Sequence, residues 1–138
     1  MYEQIVIATD GSDNSLRAVS HGAQLAQLTN ARITLLYVVD IDKAKTDVLH
    51  AASAESLYLQ RRGKLAAAEA LLTEAHISYK VEMLNGLPGP AIVDYVNASN
   101  ADLVIIGSRG LNALQEMVLG SVSHKVMKRV HCPALIIK

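Results

Sequence analysis

Five short apolar runs, separated by segments with a helical period, limit what this chain can fold into. They are residues 5–8 (IVIA), 33–39 (ITLLYVV), 79–84 (YKVEML), 103–107 (LVIIG) and 134–138 (ALIIK). Four are continuous and rich in Ile, Leu and Val, the composition of parallel strands covered on both faces. The run at 79–84 alternates instead, which suits an edge strand with one wetter face. Parallel neighbours need a long crossover between them, and a helix is the usual one. The alternation therefore predicts one α/β domain over residues 1–138. It is a doubly wound, Rossmann-like fold, with a five-stranded parallel sheet and helices on both faces.

A first helix is expected from near Asp13 to just before Asn30, turning Leu16, Val19, Ala23, Leu25 and Leu28 inward. A second covers residues 45–75 and contains Leu57, Leu65, Ala68, Leu71 and Leu72, with a weaker period in its early part. A third begins at Pro90, a good first-turn residue, after the turn NGLPG. With 138 residues, 51% of them hydrophobic, one core can form without covalent staples.

Thirteen basic residues balance thirteen acidic ones, so the total charge carries no footprint for nucleic acid or an anionic membrane. No stretch approaches the roughly 18 apolar residues of a membrane span. Cys132 is the only cysteine, which rules out an intramolecular disulfide. No basic-then-apolar leader precedes the first run. These features together fit a cytoplasmic protein.

One stretch is not explained by strands and helices. In GSRGLNALQEMVLGSVSHK, residues 107–125, three glycines and two serines flank a short apolar segment. Ligands of open parallel sheets sit beyond the carboxyl ends of the strands, and this stretch leaves such an end. Gly107 and Gly110 allow a sharp turn and a close backbone approach to a ligand. Leu111, Leu114, Val118 and Leu119 follow at helical spacing, Gly120 breaks that helix, and Ser121 starts another toward Arg129. Its fresh N-terminus, with hydroxyls at Ser121 and Ser123, offers unpaired N–H groups and a partial positive charge to phosphate oxygens. Arg109 can add a full charge. Taken singly, each residue also has a purely architectural role. Gly107 can end a strand, Gly120 can cap a helix and Ser121 can be an ordinary N-cap.

The joint spacing G-x2-G-x9-G-S, here Gly107, Gly110, Gly120 and Ser121, resembles the ATP-binding branch of the universal stress proteins. So does the strand that runs into Asp10 in IVIATDGS, and the likeness extends through LLYVVD and PALIIK. The resemblance implies a nucleotide lying across the carboxyl edge of the sheet. Ala8, Asp10 and Val38 would contact the adenosine, and Ile106 and Gly107 would lie beside the ribose. Arg109, Gly110, Gly120, Ser121 and Val122 would surround the triphosphate of ATP, with a divalent cation, Mg2+ or Mn2+. It also implies a homodimer through the last strand, Ala134 to Lys138. That strand is apolar and β-prone, so as an edge it exposes backbone groups that a twofold partner can satisfy, burying Leu135 and Ile137 or Ile136.

Competing sites find less support. Asp10 also reads as a turn former ahead of a helix. Asp40 stands where a dinucleotide fold places its ribose-binding acid, but the first turn lacks G-x-G-x-x-G, and no P-loop occurs. A phosphoacceptor receiver needs an Asp ending the third strand, where Asn85 and Gly86 stand. His21, His50, His76, His124 and His131 are scattered without metal-ligand spacing, His124 being a helix-surface residue near the presumed phosphates. Arg61, Arg62 and Lys64 read as a solvated helix face, and Cys132 as a small buried hydrophobe. No nucleophile elbow, paired carboxylates or arginine finger stands out, so no catalytic residue is assigned. The functional expectation is an ATP-binding stress-response and signalling module without strong catalysis. The alternative is a slow ATPase or self-phosphorylating enzyme with Ser121 or Ser123 as acceptor.

Overall fold

Alternation of side chains along each strand decides which face of the sheet it feeds. The computed structural model describes residues 1–41, 52–108 and 120–138. Its strands are β1 (Gln4–Ala8), β2 (Arg32–Asp40), β3 (Tyr79–Gly86), β4 (Leu103–Gly107) and β5 (Ala134–Ile137). All pair in parallel, in the order β3-β2-β1-β4-β5. The alternating run at 79–84 is the edge strand its pattern predicts. The four continuous runs supply the three central strands and the opposite edge, β5.

The described helices are α1 (Asp13–Thr29), α2 (Ala54–Gly63), α3 (Ala66–Glu74), α4 (Pro88–Ala98) and α5 (Ser121–Arg129). Ile5, Ile7, Ile33, Leu35 and Ile105 pack on one face, against Ala18, Val19 and Ala23 of α1 and Leu72 of α3. Val6, Ala8, Leu36, Val104 and Ile106 pack on the other, against Ile92, Val93 and Val96 of α4 and Val126 of α5. Each fully buried aliphatic side chain contributes about 1.5–3 kcal/mol, so the two layers hold the sheet from both sides.

α1 has the expected bounds. Ser12 Oγ accepts the Ser15 N–H at 3.2 Å, Asp13 lies in the first turn, and Asn30 ends the helix at φ 58°. Leu28 corrects the expected inward set. It is 85% exposed, and beside the expected Val19 and Ala23 the helix turns Ala18 and Ala26 onto the sheet. The single helix over 45–75 also needs correction. Its described part is two helices joined at Lys64 and Leu65, where Lys64 N–H and Leu65 N–H donate to Arg61 and Arg62 carbonyls. The break lets Leu65 drop into a third cluster with Tyr37 and Val39. Residues 45–51, the early part of that segment, lie outside the described residues. α4 begins at Pro88 rather than Pro90.

Arg62 is not simply solvated. Its guanidinium grips Glu69 through two bonds of 3.0 and 2.8 Å, and Tyr79 Oη donates to the same carboxylate at 3.0 Å. The Arg62 guanidinium holds the Glu69 carboxyl below its usual range.

Candidate nucleotide site at the carboxyl edge

Strand order reverses between β1 and β4: the chain runs outward through β2 and β3 on one side and through β5 on the other. The crevice of a doubly wound sheet opens at that switch. Most of the sequence-predicted residues gather there. Ala8 ends β1, Ile106 and Gly107 end β4, and Val38 lies two residues past Leu36, the partner of Ala8 in β2. Ala8 and Ile106 are buried and Val38 and Val122 half-buried, all in the cluster on the α4 and α5 side. They form an apolar floor.

Beyond that floor the chain turns tightly. Thr9 N–H still bonds the Leu36 carbonyl at 3.0 Å, and then Asp10 Oδ1 accepts the Ser12 N–H at 2.9 Å. Gly11 takes φ +83°, a conformation that favours glycine, and lies against Lys64 at the α2–α3 joint. The turn-forming role of Asp10 is therefore realised, and the same turn sets its carboxylate at the end of β1.

The glycine stretch is pinned from two sides. Ser108 N–H donates to the Ile137 carbonyl at 2.7 Å, and Gly120 N–H returns to the Ser108 carbonyl at 2.7 Å. Ser123, buried at 3% exposure, donates its hydroxyl to the Gly107 carbonyl at 2.5 Å. The structure thus puts the Ser123 hydroxyl on the backbone, where the sequence reading offered it to phosphate. Its buried partner Val126 stands three residues on, the helical spacing that could have signalled an inward serine. Arg109, Gly110 and the apolar segment with Leu111, Leu114, Val118 and Leu119 lie outside the described residues.

One residue was missed by the sequence reading. Asn14, in the first turn of α1, is buried, and its Nδ2 donates to the Ile137 carbonyl at 3.3 Å. A Cβ on Gly107 would overlap the Asn14 side-chain amide, so this glycine is required by the approach of α1 to β4. A polar residue so close to an N-cap looks like ordinary helix-start chemistry in the sequence, and only the fold brings it to Gly107.

The N-terminus of α5 faces the crevice. Gly120 is its N-cap, with φ −63° and ψ 156°, and supplies no side-chain cap. The first intrahelical bond runs from His124 N–H to the Gly120 carbonyl at 2.9 Å, so the amides of Ser121, Val122 and Ser123 have no partner within the helix. Its first turn contains no acidic residue, and Lys128 and Arg129 sit in its last. Within its own first turn, the positive end of the helix dipole therefore meets no acidic side chain.

Elsewhere the chemistry is sparse. His124 lies exposed on α5. Among the described residues no group of three or more His, Cys, Asp or Glu converges. Cys132 is half-buried, not fully buried as expected, and burial pushes its thiol up, keeping it protonated. At the opposite edge of the sheet, Asn30, Arg32, His76 and Ser78 help line a polar cleft of about 470 Å3. The C-terminal ends of α1 and α3 meet at that cleft, and their dipoles disfavour phosphate there.

The universal stress protein family model matches residues 1–138. Universal stress protein MJ0531 of Methanocaldococcus jannaschii is 33% identical over 141 residues, covering 100% of this chain and 83% of the relative. Among solved structures, hypothetical protein MJ0577 superposes with a TM-score of 0.85 at 27% identity, covering 100% of this chain and 96% of that one. A universal stress protein in complex with cAMP gives a TM-score of 0.73 at 28% identity, covering 99% of this chain and 96% of that one.

Proposed function

We propose that this chain, which belongs to the universal stress protein family, binds ATP at the carboxyl edge of its sheet and uses the bound nucleotide for stress-response signalling. The observation that carries this reading is the uncapped N-terminus of α5, aimed at the β1–β4 switch over an apolar floor. Phosphate oxygens supply the acceptors that the helix itself does not give the Ser121, Val122 and Ser123 amides, and an adenine ring covers Ala8 and Val38. Asp10 reaches the adenosine, Ile106 and Gly107 flank the ribose, and Arg109 and Gly110 join Gly120 around the phosphates. The cAMP complex of a relative supports an adenine nucleotide as the ligand class. A divalent cation, Mg2+ or Mn2+, would be held by the triphosphate oxygens and neutralise part of their charge. No helix among the described residues is long and apolar enough to cross a membrane, and the proposed setting is the cytoplasm.

Thermal unfolding with added ligand tests this. A ligand at about 100 times its dissociation constant adds roughly 2.7 kcal/mol to the folded state. Mg-ATP is therefore expected to raise the Tm by several degrees, at about 3 °C per kcal/mol. A larger rise with NADH than with Mg-ATP would contradict the assignment.

The same reading includes a homodimer through β5. Val104 N–H bonds the Pro133 carbonyl and Ser108 N–H the Ile137 carbonyl, so the backbone groups of Ala134 and Ile136 point to the open edge. Ile137 is only 7% exposed within the single chain, which favours Ile136 over Ile137 in the expected contact set. Leu135, 39% exposed, and half-buried Ile136 remain for a partner to cover. Sedimentation at tens of micromolar is expected to show a dimer, and a monomer at that concentration would refute it.

A further inference from the structure

The sheet has two edges, and β3 is the longer, with eight residues against four in β5. Its register with β2 runs without a bulge from Tyr79 to Gly86. Ile33 N–H bonds the Ser78 carbonyl at 3.0 Å, so Ser78, Lys80 and Glu82 turn their backbone groups toward β2. The N–H and C=O groups of Tyr79, Val81 and Met83 therefore point away from the sheet. Among the described residues no strand lies beyond them.

Proteins blunt such an edge with a proline, a bulge, a very short strand or repelling charges. β3 is neither short, bulged nor interrupted by proline, and its two charges are of opposite sign. Lys80 and Glu82 share one face of the strand, with Nζ and Oε1 3.6 Å apart, and are 64% and 37% exposed. Tyr79, Val81 and Met83 alternate with them and are half-buried on the other face.

The run Tyr79-Lys80-Val81-Glu82-Met83 complements itself when reversed. In an antiparallel pair of two copies centred on Val81, the backbone groups of Val81 bond the partner's Val81, and those of Tyr79 bond the partner's Met83. Lys80 then faces the partner's Glu82 at a non-hydrogen-bonded position, where side chains come closest. The charges alternate in sign around the twofold axis. Centring the pair on Lys80 or on Glu82 would set like charges face to face, so the charges also fix the register.

We infer that β3 is a second self-association edge, on which another copy of this chain docks antiparallel about Val81, independently of the nucleotide site and of β5. Its apolar side chains are already half-buried, so pairing removes little more apolar surface and is weak, with a Kd on the order of 0.1–1 mM. A β5 dimer keeps both β3 edges open, so the two contacts together build assemblies larger than a dimer.

Sedimentation over a concentration series tests it. Wild type is expected to gain mass between tens of micromolar and about 0.5 mM. Lys80→Glu and Glu82→Lys each set like charges opposite one another, and should weaken this step at least about tenfold and remove the gain. An equimolar mixture of the two variants, and the double variant, restore opposite charges across the axis and should regain it. Their Tm at low concentration should match wild type, since an exposed ion pair contributes little within one chain. Wild type without the gain, single variants that keep it, or a mixture and double variant that fail to regain it would each overturn the inference and leave the β5 dimer standing.

Discussion

Gly120→Val is expected to give a folded dimer whose ATP affinity has fallen at least a hundredfold. Gly120 has φ −63° and ψ 156°, a conformation open to any residue, so its backbone does not demand glycine. As an N-cap it has no side chain to lose, and valine is a poor cap that costs about 1 kcal/mol of stability. On the proposed reading, the reason for a bare Cα is the phosphate that comes close to it. A valine side chain there occupies the volume of the phosphates and turns the Ser121 amide away. Losing two charge-assisted hydrogen bonds, at about 1.5–3 kcal/mol each, gives the hundredfold loss. Circular dichroism and ATP calorimetry on the same preparation check it. Folded Gly120→Val protein that binds ATP within about threefold of wild type would show that the glycine serves the fold alone.

Gly107→Ala should do the opposite, lowering stability strongly. Its new Cβ overlaps the Asn14 amide, which must move and release the Ile137 carbonyl. Overpacking costs about 1–3 kcal/mol, while the Ile137 carbonyl keeps the Ser108 N–H. At about 3 °C per kcal/mol, that is a fall in Tm of roughly 3–9 °C. The cause can be isolated by a double-mutant cycle. In an Asn14→Ala background, where the obstacle is gone, Gly107→Ala should cost much less. Strict additivity of the two substitutions would mean that Asn14 is not the reason for this glycine.

Only the fold shows why Gly107 must be glycine, and this is where reading the sequence ends. The strands were legible because a parallel strand covered on both faces must be apolar throughout, and β3 because an edge strand need not be. The start of α1 was legible in Ser12 and Asp13, whose cap chemistry is local. Leu28 misled because, at about 100° per residue, it points away from the buried stripe of Val19, Ala23 and Ala26, and Ala26 in the same turn is the residue that packs. The α2–α3 break was not read from the sequence, because the burial of Leu65 that fixes it depends on Tyr37 and Val39 in β2. At the site, a helix start at Ser121 was readable from spacing, but not that Gly120, which has no side chain, is its N-cap. The contacts of Asn14 with β5 and of Ser123 with Gly107 join elements distant in the chain, and no local pattern encodes them.

The central claim is the location of the nucleotide. Titrating Mg-ATP into isotope-labelled protein and following backbone amide resonances tests it residue by residue. The expected perturbations cluster at Ala8 to Asp10, Val38 to Asp40, Ile106 to Ser108 and Gly120 to Ser123, with the amide of Ser121 among the largest. Perturbations gathered instead at the polar cleft of Asn30, Arg32, His76 and Ser78, or none at saturating Mg-ATP, would contradict it.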